Sequence, residues 1–431
     1  MSQADHPISN PAFGSSLLRA PLDSTADSRL NRHCFIRAGA WTVAAMPVVA
    51  LADILPLFHI GSLSIRASDV VFVLAVMLCG LDALFSMRLQ PGFATFGVAM
   101  LLLLSLTSLG VLFMVSQVDW PRYFRFFETM LWGALALWFI RSQQQLERLA
   151  NGVIFFACGL SLTSIYIFLQ TPLSRIAGFM FLQTEGEGNL NEWAAFYVLA
   201  ITVLLWRSYV RGWSPRRVLI LFLVLAGVVL VQSRSGFLSL GIEATIFTAL
   251  WVRASWRRGA FRVLGGLLCL AVLLAAVIAG SRLMPDNRIS QSFDTGSAEQ
   301  ASTEDRYIGW RKSLALLSES SLPQLLVGYG NDRFAQLIQA STSESFYFDH
   351  ACAEGFLGLC LMLFLLLWPT WRWRHTGSAG QRLLLAWLIT LNALVVSVVG
   401  NVLVNPIFGG ATFALLHGIA SLDRRQSLLP R

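Results

Sequence analysis

The sequence predicts an all-α, polytopic membrane protein with about twelve transmembrane helices and one long external loop that contains short helices. Composition is the first observation behind this prediction: 55% of the 431 residues are hydrophobic, 13% are charged and the mean hydropathy is +0.63. A soluble domain of this length needs more charged residues to cover its surface. Apolar runs of about 20 residues also recur along the chain, and each is long enough to cross a hydrocarbon core about 30 Å thick.

The apolar runs divide the chain into five regions. Residues 1–33 are polar and are expected to be disordered, residues 34–280 hold nine predicted spans, and residues 281–350 form a polar loop. Three more spans occupy residues 351–421, and a short tail follows at 422–431. The approximate limits of the spans are 38–56, 70–86, 93–115, 126–140, 150–169, 193–206, 218–232, 236–252, 261–280, 351–369, 383–403 and 407–421. Within the long loop, the amphipathic stretch RYIGWRKSLALLSES predicts one or two helices.

Arginines determine the predicted orientation of the chain in the bilayer. Twenty-one of the 32 basic residues lie before the first span or in alternate connections between spans. Because basic residues are enriched on the cytoplasmic side of membranes, this side is predicted to be cytoplasmic, with both termini on it. The net charge of +8 is therefore attributed to orientation and not to nucleic-acid binding. The six cysteines lie in or beside apolar runs without ligand-like spacing, so neither disulfides nor a metal site is expected.

Some arginines do not follow this orientation pattern. Five of them lie in short connections on the outer face: Arg66, Arg122, Arg125, Arg175 and Arg234. Arg234 lies between two long apolar runs in VQSRSGFLSL. An arginine at a helix end can simply extend its guanidinium to the lipid headgroups. The hydroxyls of Ser233 and Ser235, together with backbone N–H groups where the next helix opens at Gly236, favour instead a site that holds a phosphate or another anion.

Two other outer segments hold candidate binding residues. Arg175 and Asn191 belong to the polar segment before the sixth span, where the alternative is a solvated loop with Asn191 as a helix cap. In the long loop, the sequence EDRYIGWRKS supplies Arg306 and Arg311. The sequence VGYGND that follows predicts a turn that can bring backbone close to a ligand.

The segment FYFDHACAEGFLGL at the mouth of the tenth span places a histidine beside carboxylates. It contains Asp349, His350 and Glu354, and the last two are four residues apart, so they lie on one face of a helix. A histidine in this setting can act as the general base for a sugar hydroxyl, and Asp349 and Glu354 are candidate substrate-binding residues. The alternative interpretation is a cluster of charges at a helix entry.

Three acidic residues lie within or at the edge of predicted spans: Asp82, Glu128 and Glu243. A carboxylate at this depth is costly unless it has a partner. Pairing with a polar group on another helix and a proton relay would produce the same sequence pattern, so both interpretations stay open.

The order of these motifs resembles the superfamily of O-antigen ligases and Wzy-type O-antigen polymerases. SRSG starts a span, and R-x-x-x-W, G-x-G-x-x-x-F and E-G-x-x-G follow in and after the long loop. Upstream, R-x-x-G-F and N-x-N-E-x-A-x-F resemble an earlier external loop of the same family. The resemblance covers roughly residues 174–367 and implies a metal-independent, inverting glycosyltransferase without cofactors. Such an enzyme moves a glycan from undecaprenyl diphosphate to a hydroxyl acceptor at the periplasmic face of the bacterial inner membrane, which makes the long loop periplasmic.

The resemblance also implies roles for individual residues. Arg234 and Arg306 match the arginines that face the donor diphosphate, where guanidiniums neutralise the charge of the leaving group. Ligases of the family carry a catalytic histidine eleven residues before the first glycine of G-x-x-G. That position, counted from Gly355, is Glu344 in this chain. The general base is therefore His350, Asp349 or Glu344.

The departure at Glu344 favours a polymerase that joins lipid-linked repeat units of an O-antigen or exopolysaccharide. The alternative in the same family is a ligase that transfers the glycan to lipid A core or to a protein. A polysaccharide transporter is a third interpretation, but the chain shows no internal repeat, and its unusual charges gather on one face. The expected partners are the lipid-linked donor, the glycan acceptor, membrane lipids and a chain-length regulator.

Overall fold

The computed structural model describes residues 24–51, 58–60, 63–86, 91–114, 120–170, 190–231, 233–256, 298–339, 343, 345–372, 380–398, 403 and 407–427. Within these residues the protein consists of fifteen helices and one two-stranded antiparallel hairpin. The helices are α1 Ser24–Val49, α2 Ala67–Ser86, α3 Pro91–Met114, α4 Trp120–Phe139, α5 Gln143–Gln170, α6 Leu190–Arg211, α7 Pro215–Val231, α8 Arg234–Trp256, α9 Ala298–Glu319, α10 Leu322–Val327, α11 Asn331–Ile338, α12 Phe346–Ala353, α13 Gly355–Arg372, α14 Gly380–Val396 and α15 Phe408–Ser427. The strands of the hairpin are β1 Phe58–Ile60 and β2 Leu63–Ile65.

Several of these helices are apolar enough to cross a bilayer, so the chain is a multi-pass membrane protein. Among the described residues, three stretches are long and apolar enough by themselves: Ala67–Phe85, Gln143–Tyr166 and Glu192–Arg211. Shorter apolar stretches accompany them at Cys34–Val49, Phe93–Leu106, Gly355–Trp371, Arg382–Val396 and Phe408–Leu422. The prediction of a polytopic helical membrane protein is confirmed. The count of about twelve spans and the side on which the termini lie stay predictions.

The buried core lies where the apolar helices pack side by side. α15 packs along α4, α1 packs on α2 and α5, and α6 contacts α5, α7, α8 and α14. From Ala194 to Ile201 every side chain of α6 is at most 1% exposed, as expected for a helix that is apolar on all sides. At the periphery, α2 turns Leu84 and Phe85 outward, and these are 69% and 72% exposed. Outward-facing apolar side chains of this kind suit a helix that borders lipid.

The structure differs from the predicted boundaries at three places. α1 begins at Ser24, inside the segment predicted to be disordered, because a helix formed in apolar residues extends over neighbouring polar ones at little cost. The hairpin is also unpredicted: Phe58 pairs with Ile65 and Ile60 with Leu63, and strands of three residues are too short to show a period of two in the sequence. The third difference is in the long loop, where α12 begins at Phe346, before the predicted end of the loop at residue 350. The predicted span 261–280 lies outside the described residues.

The long loop contains helices, as the sequence predicts, and it has a small core of its own. α9, α10 and α11 lie within it. Tyr329, Phe334, Ile338 and Cys352 are buried together in a cluster separate from the core of the membrane helices. Because Cys352 belongs to α12, this cluster fastens the loop helices to the segment that enters α13.

A histidine compensates for a proline in the membrane helices. Pro369 lies inside α13, so it offers no N–H to the carbonyl of Leu365 one turn earlier. The Nε2–H of His417 in α15 donates to this carbonyl at 3.1 Å. The imidazole is fully buried and stacks on Trp368, with ring centroids 5.7 Å apart. His417 is therefore a structural residue that satisfies a backbone group which water cannot reach.

Candidate active site

Arg234 is the first residue of α8, and the serines beside it build the start of that helix. The hydroxyl of Ser233 accepts a hydrogen bond from the backbone N–H of Gly236 at 3.3 Å, which is the geometry of a helix cap. The hydroxyls of Ser233 and Ser235 are hydrogen bonded to each other at 2.9 Å, and both side chains are buried. The Gly236 N–H is thus already engaged by the chain itself. A Cβ at Gly236 would overlap Ala194 of α6 at 2.7 Å, so this glycine permits close packing of α8 on α6.

The structure brings Arg306 of the long loop towards Arg234. The two guanidiniums are near enough for the charge of Arg306 to act on Arg234, which is partly buried. Two positive charges repel each other, and burial of one of them increases the cost. An anion between them would attract both guanidiniums and offset their repulsion. Guanidiniums bind phosphate oxygens in a fork geometry. The arrangement is therefore suited to a phosphate or diphosphate.

Packing between α9 and α12 links Arg306 to the histidine. One turn after Arg306, Gly309 lies against the backbone of Ser343, and a Cβ there would be 3.5 Å from it. The ring centroids of Trp310 and Phe348 are 6.2 Å apart. α12 is also anchored to α14, since the hydroxyl of Tyr347 donates to the carbonyl of Leu394 at 2.8 Å. Burial raises the pKa of Tyr347 to about 12, so the phenol stays protonated and keeps donating.

His350 forms a buried pair with Glu354. Its Nδ1 is 2.6 Å from Oε2 of Glu354, and the two residues are 4% and 3% exposed. The imidazole lies between the rings of Phe126 and Phe346, whose centroids are 5.4 and 4.3 Å from its own. Its Nε2 is buried and has no hydrogen-bond partner among the described residues. When Nδ1 carries the proton and donates to the carboxylate, Nε2 has a lone pair that can accept a proton.

Asp349 holds the segment that leads into α12. Its Oδ1 accepts hydrogen bonds from the backbone N–H and the hydroxyl of Ser343, both at 2.7 Å, and the residue is 2% exposed. Its own backbone N–H donates to the carbonyl of Ser345 at 2.9 Å. Of the candidate bases, Asp349 is thus the one whose contacts suit a structural role.

Two glycines allow the VGYG segment to cross the break between α12 and α13. Gly328 has φ of +84° and Gly355 has φ of +72°, values that favour glycine. A Cβ on Gly355 would overlap the carbonyl of Leu326, and a Cβ on Gly328 would overlap that of Ala353. The N–H of Tyr329 donates to the carbonyl of Cys352 at 2.8 Å. The sequence predicts a turn that can bring backbone close to a ligand, and in the structure the turn contacts the backbone that carries His350 and Glu354.

A buried ion network beside His350 was not predicted from the sequence. Arg125 lies inside α4, not in a connection as predicted, and it is 9% exposed. Its Nη1 is 2.8 Å from Oε2 of Glu128, and its Nη2 is 3.1 Å from Oδ2 of Asp69 in α2. The next residue, Phe126, lies against the imidazole of His350. The network fixes the end of α4 that carries this ring.

The acids at Asp82 and Glu243 also have partners on other helices. The indole N–H of Trp138 donates to Asp82 at 2.8 Å. Glu243 of α8 accepts a hydrogen bond from the hydroxyl of Thr202 in α6. Pairing between helices, one of the two interpretations left open by the sequence, is therefore present for both residues.

The other predicted site residues are not brought to this place. Arg311 lies on the exposed side of α9 with its guanidinium 5.9 Å from the ring centre of Tyr307. Arg175 and Glu344 lie outside the described residues. Asn191 lies in the first turn of α6, past the cap position, and its side chain is outside the described part of the structure. In the described part of the chain, no three His, Cys, Asp or Glu side chains form a group that could hold a metal ion.

Comparison with known proteins agrees with the resemblance drawn from the motifs. Residues 219–351 match a family model described as O-antigen ligase, Wzy_C. No curated protein matches the chain. Arg234, Arg306 and His350 all lie inside the matched region. Members of this family are membrane enzymes that transfer glycans in the synthesis of bacterial surface polysaccharides. Residues 219–351 of this multi-pass membrane protein are therefore similar to the Wzy_C O-antigen ligase family.

Proposed function

We propose that the protein is a polysaccharide polymerase of the bacterial inner membrane. It joins repeat units of an O-antigen or exopolysaccharide that are carried on undecaprenyl diphosphate, and it does so at the periplasmic face. The approach of Arg306 to Arg234 within the family domain is the observation that carries this proposal. Two guanidiniums whose charges act on each other are suited to bind an anion, and the lipid diphosphate of the donor is such a ligand.

In the proposed reaction the two arginines stabilise the leaving group. The acceptor hydroxyl attacks the anomeric carbon of the donor glycan, and the bond from that carbon to the diphosphate oxygen breaks. The electron pair of the broken bond stays on the diphosphate, whose growing negative charge lies against Arg234 and Arg306. Fixed positive charges at the place where negative charge develops lower the barrier most. A single displacement of this kind inverts the anomeric carbon.

His350 is the proposed general base, with Glu354 as its partner. Nε2 of His350 takes the proton of the acceptor hydroxyl, and the carboxylate of Glu354 at Nδ1 stabilises the imidazolium that forms. This places Glu354 behind the histidine, in place of the direct substrate contact that the sequence suggested. Since His350 is 4% exposed and contacts the rings of Phe126 and Phe346, the proposed reaction requires a rearrangement that exposes Nε2 to the acceptor.

A ligase of the same family is the second candidate, because the matched family model is described as O-antigen ligase. The resemblance assigns a histidine to ligases at the position that Glu344 occupies in this chain. This departure at Glu344 supports the polymerase, while the buried pair of His350 and Glu354 offers a base to either enzyme.

Deletion of the gene in its host separates the candidates. The polymerase proposal predicts that long chains disappear while single repeat units remain attached to the lipid A core. A ligase would instead leave no attached unit, and lipid-linked polymer would accumulate in the inner membrane. Unchanged surface and secreted glycans would remove both activities. Complementation with the wild-type gene is the control for effects on neighbouring genes.

A further inference from the structure

A second cluster of arginines lies at the end of α7 opposite to Arg234. Residues 141–149 and 206–217, which include the ends of α5, α6 and α7, contain six arginines and one glutamate. These segments belong to the side that the arginine pattern predicts to be cytoplasmic. The 17-residue helix α7 separates the cluster from Arg234, and the cluster plays no part in the proposed reaction.

Arg207 is the centre of this cluster. Its Nη1 donates to Oδ1 of Asn151 at 2.6 Å, and its Nη2 donates to the carbonyl of Glu147 at 2.9 Å. Its Nε is buried and has no hydrogen-bond partner in the described part of the chain. Arg211 forms an ion pair with the carboxylate of Glu147. The side chains are therefore held in place by contacts within the protein.

Positive charge is in excess at this corner. The charges of Arg211 and Arg217 both act on Arg207, and Glu147 is the carboxylate that opposes them. Among these described residues, three arginines and one glutamate leave a net charge of two positive units. Such a surplus attracts anions, and arginine forks bind phosphate groups well.

An apolar groove adjoins the cluster where α7 begins. It has a volume of about 480 Å³ and is lined by Trp213, Ser214, Pro215, Val218, Leu219 and Phe222. The residues of α7 in this set follow helical spacing, so they form one outward-facing stripe. The guanidinium of Arg217 donates to the carbonyl of Gly212, which precedes the groove residue Trp213. The basic cluster thus reaches the loop that forms one wall of the groove.

We propose that this corner binds one anionic phospholipid of the cytoplasmic leaflet, with the phosphate on Arg207, Arg211 and Arg217 and an acyl chain in the groove. The charge surplus selects the anionic headgroup, and the apolar stripe suits a hydrocarbon chain. A soluble phosphate would use the arginines alone, whereas a phospholipid also contacts the apolar stripe that includes Leu219, which is 71% exposed. The indole of Trp213 has the amphipathic character that favours the membrane interface.

The test is a lipid titration of the purified full-length protein, followed by native mass spectrometry. Wild-type protein is expected to retain dioleoylphosphatidylglycerol in preference to dioleoylphosphatidylcholine. Arg211→Gln is expected to weaken retention of the anionic lipid about fivefold, because each arginine near an anionic lipid headgroup makes a modest contribution. Leu219→Gln is expected to weaken it without changing the charge. Arg148→Gln is the matched control, since this arginine of the cluster is not one of the three proposed to bind the phosphate and its guanidinium lies over the ring of Trp41, 4.2 Å from the ring centre.

Four results would overturn the proposal. One is equal retention of the two lipids by wild-type protein, and another is unchanged retention of the anionic lipid in both Arg211→Gln and Leu219→Gln. Displacement of the anionic lipid by inorganic phosphate would make the corner a site for soluble anions. A change of oligomeric state alone in Leu219→Gln would show that a second copy of the chain covers the groove. Both positions are exposed, so the variants should fold, and their elution profiles confirm this before titration.

Discussion

Replacing Glu354 with glutamine removes one charge from the buried pair with His350 and keeps the size of the side chain. The amide oxygen can still accept the hydrogen bond from Nδ1, so the imidazole keeps its orientation. What is lost is the anion that stabilises the imidazolium during proton transfer. The variant therefore tests whether the pair takes part in the reaction or only stabilises the break between α12 and α13.

The size of the effect follows from the contact. The two residues are nearly excluded from solvent and their polar atoms are 2.6 Å apart, so screening by water is weak. A hydrogen bond to a charged group contributes about 1.5–3 kcal/mol. If this contribution is made in the transition state, kcat falls about ten- to hundredfold. The KM for the acceptor should change little, because the carboxylate faces the histidine.

The assay measures initial rates of polymer formation from lipid-linked repeat units in membranes, at equal abundance of each protein. Glu304→Gln is the matched control, since this carboxylate lies on the exposed side of α9. Wild-type rates in Glu354→Gln would refute the proposed role of the pair. Loss of activity in Glu354→Gln together with loss of protein from the membrane would assign the pair to folding, and a lowered melting temperature would show the same.

Four further predictions concern the anion site, the helix break, the membrane core and metal dependence. Arg234→Lys should retain little polymer formation at normal abundance, because an ammonium cannot fork onto a diphosphate; full activity would remove this arginine from the mechanism. Gly355→Ala should lower the melting temperature, since a φ of +72° costs about 1–3 kcal/mol for alanine and the added Cβ would overlap the carbonyl of Leu326. An unchanged melting temperature would show that the backbone at Gly355 and Leu326 can move apart. His417→Ala should destabilise by about 1–3 kcal/mol by leaving the carbonyl of Leu365 unpaired, and Pro369→Ala in the same chain should recover part of this; strictly additive effects in the double variant would contradict the compensation. Activity should survive EDTA, and a loss that a divalent ion restores would contradict the metal-independent reaction.

Features that depend on local spacing were accessible from the sequence. The helices follow from apolar runs, and Arg234 was singled out because it lies on the side that basic residues usually avoid. The spacing of four between His350 and Glu354 places them on one helix face, and the structure joins them in a hydrogen bond. The proximity of Arg306 to Arg234 was suggested by the family resemblance, since spacing alone cannot relate a span to a distant loop.

Features that depend on contacts between distant segments were not accessible. Arg125 was expected in a connection because apolar periodicity begins after it, yet carboxylates on α2 and α4 allow α4 to bury it. The role of the VGYG segment depends on close contact between its backbone and that of Ala353. No local sequence pattern predicts this contact. The hydrogen bond from Ser343 to Asp349 likewise depends on the path of the chain before α12. Each of these contacts is made by a polar side chain or by the backbone, and the sequence does not reveal which distant group such a polar group will meet.

Reconstitution with a defined donor distinguishes a polymerase from a ligase. The measurement is the product distribution when the purified protein, in vesicles, receives only undecaprenyl-diphosphate-linked repeat units. We expect a ladder of polymer with wild-type protein and none with Arg234→Ala or Arg306→Ala. Absence of a ladder with wild-type protein, followed by glycan transfer once lipid A core is added, would contradict the polymerase and establish the ligase.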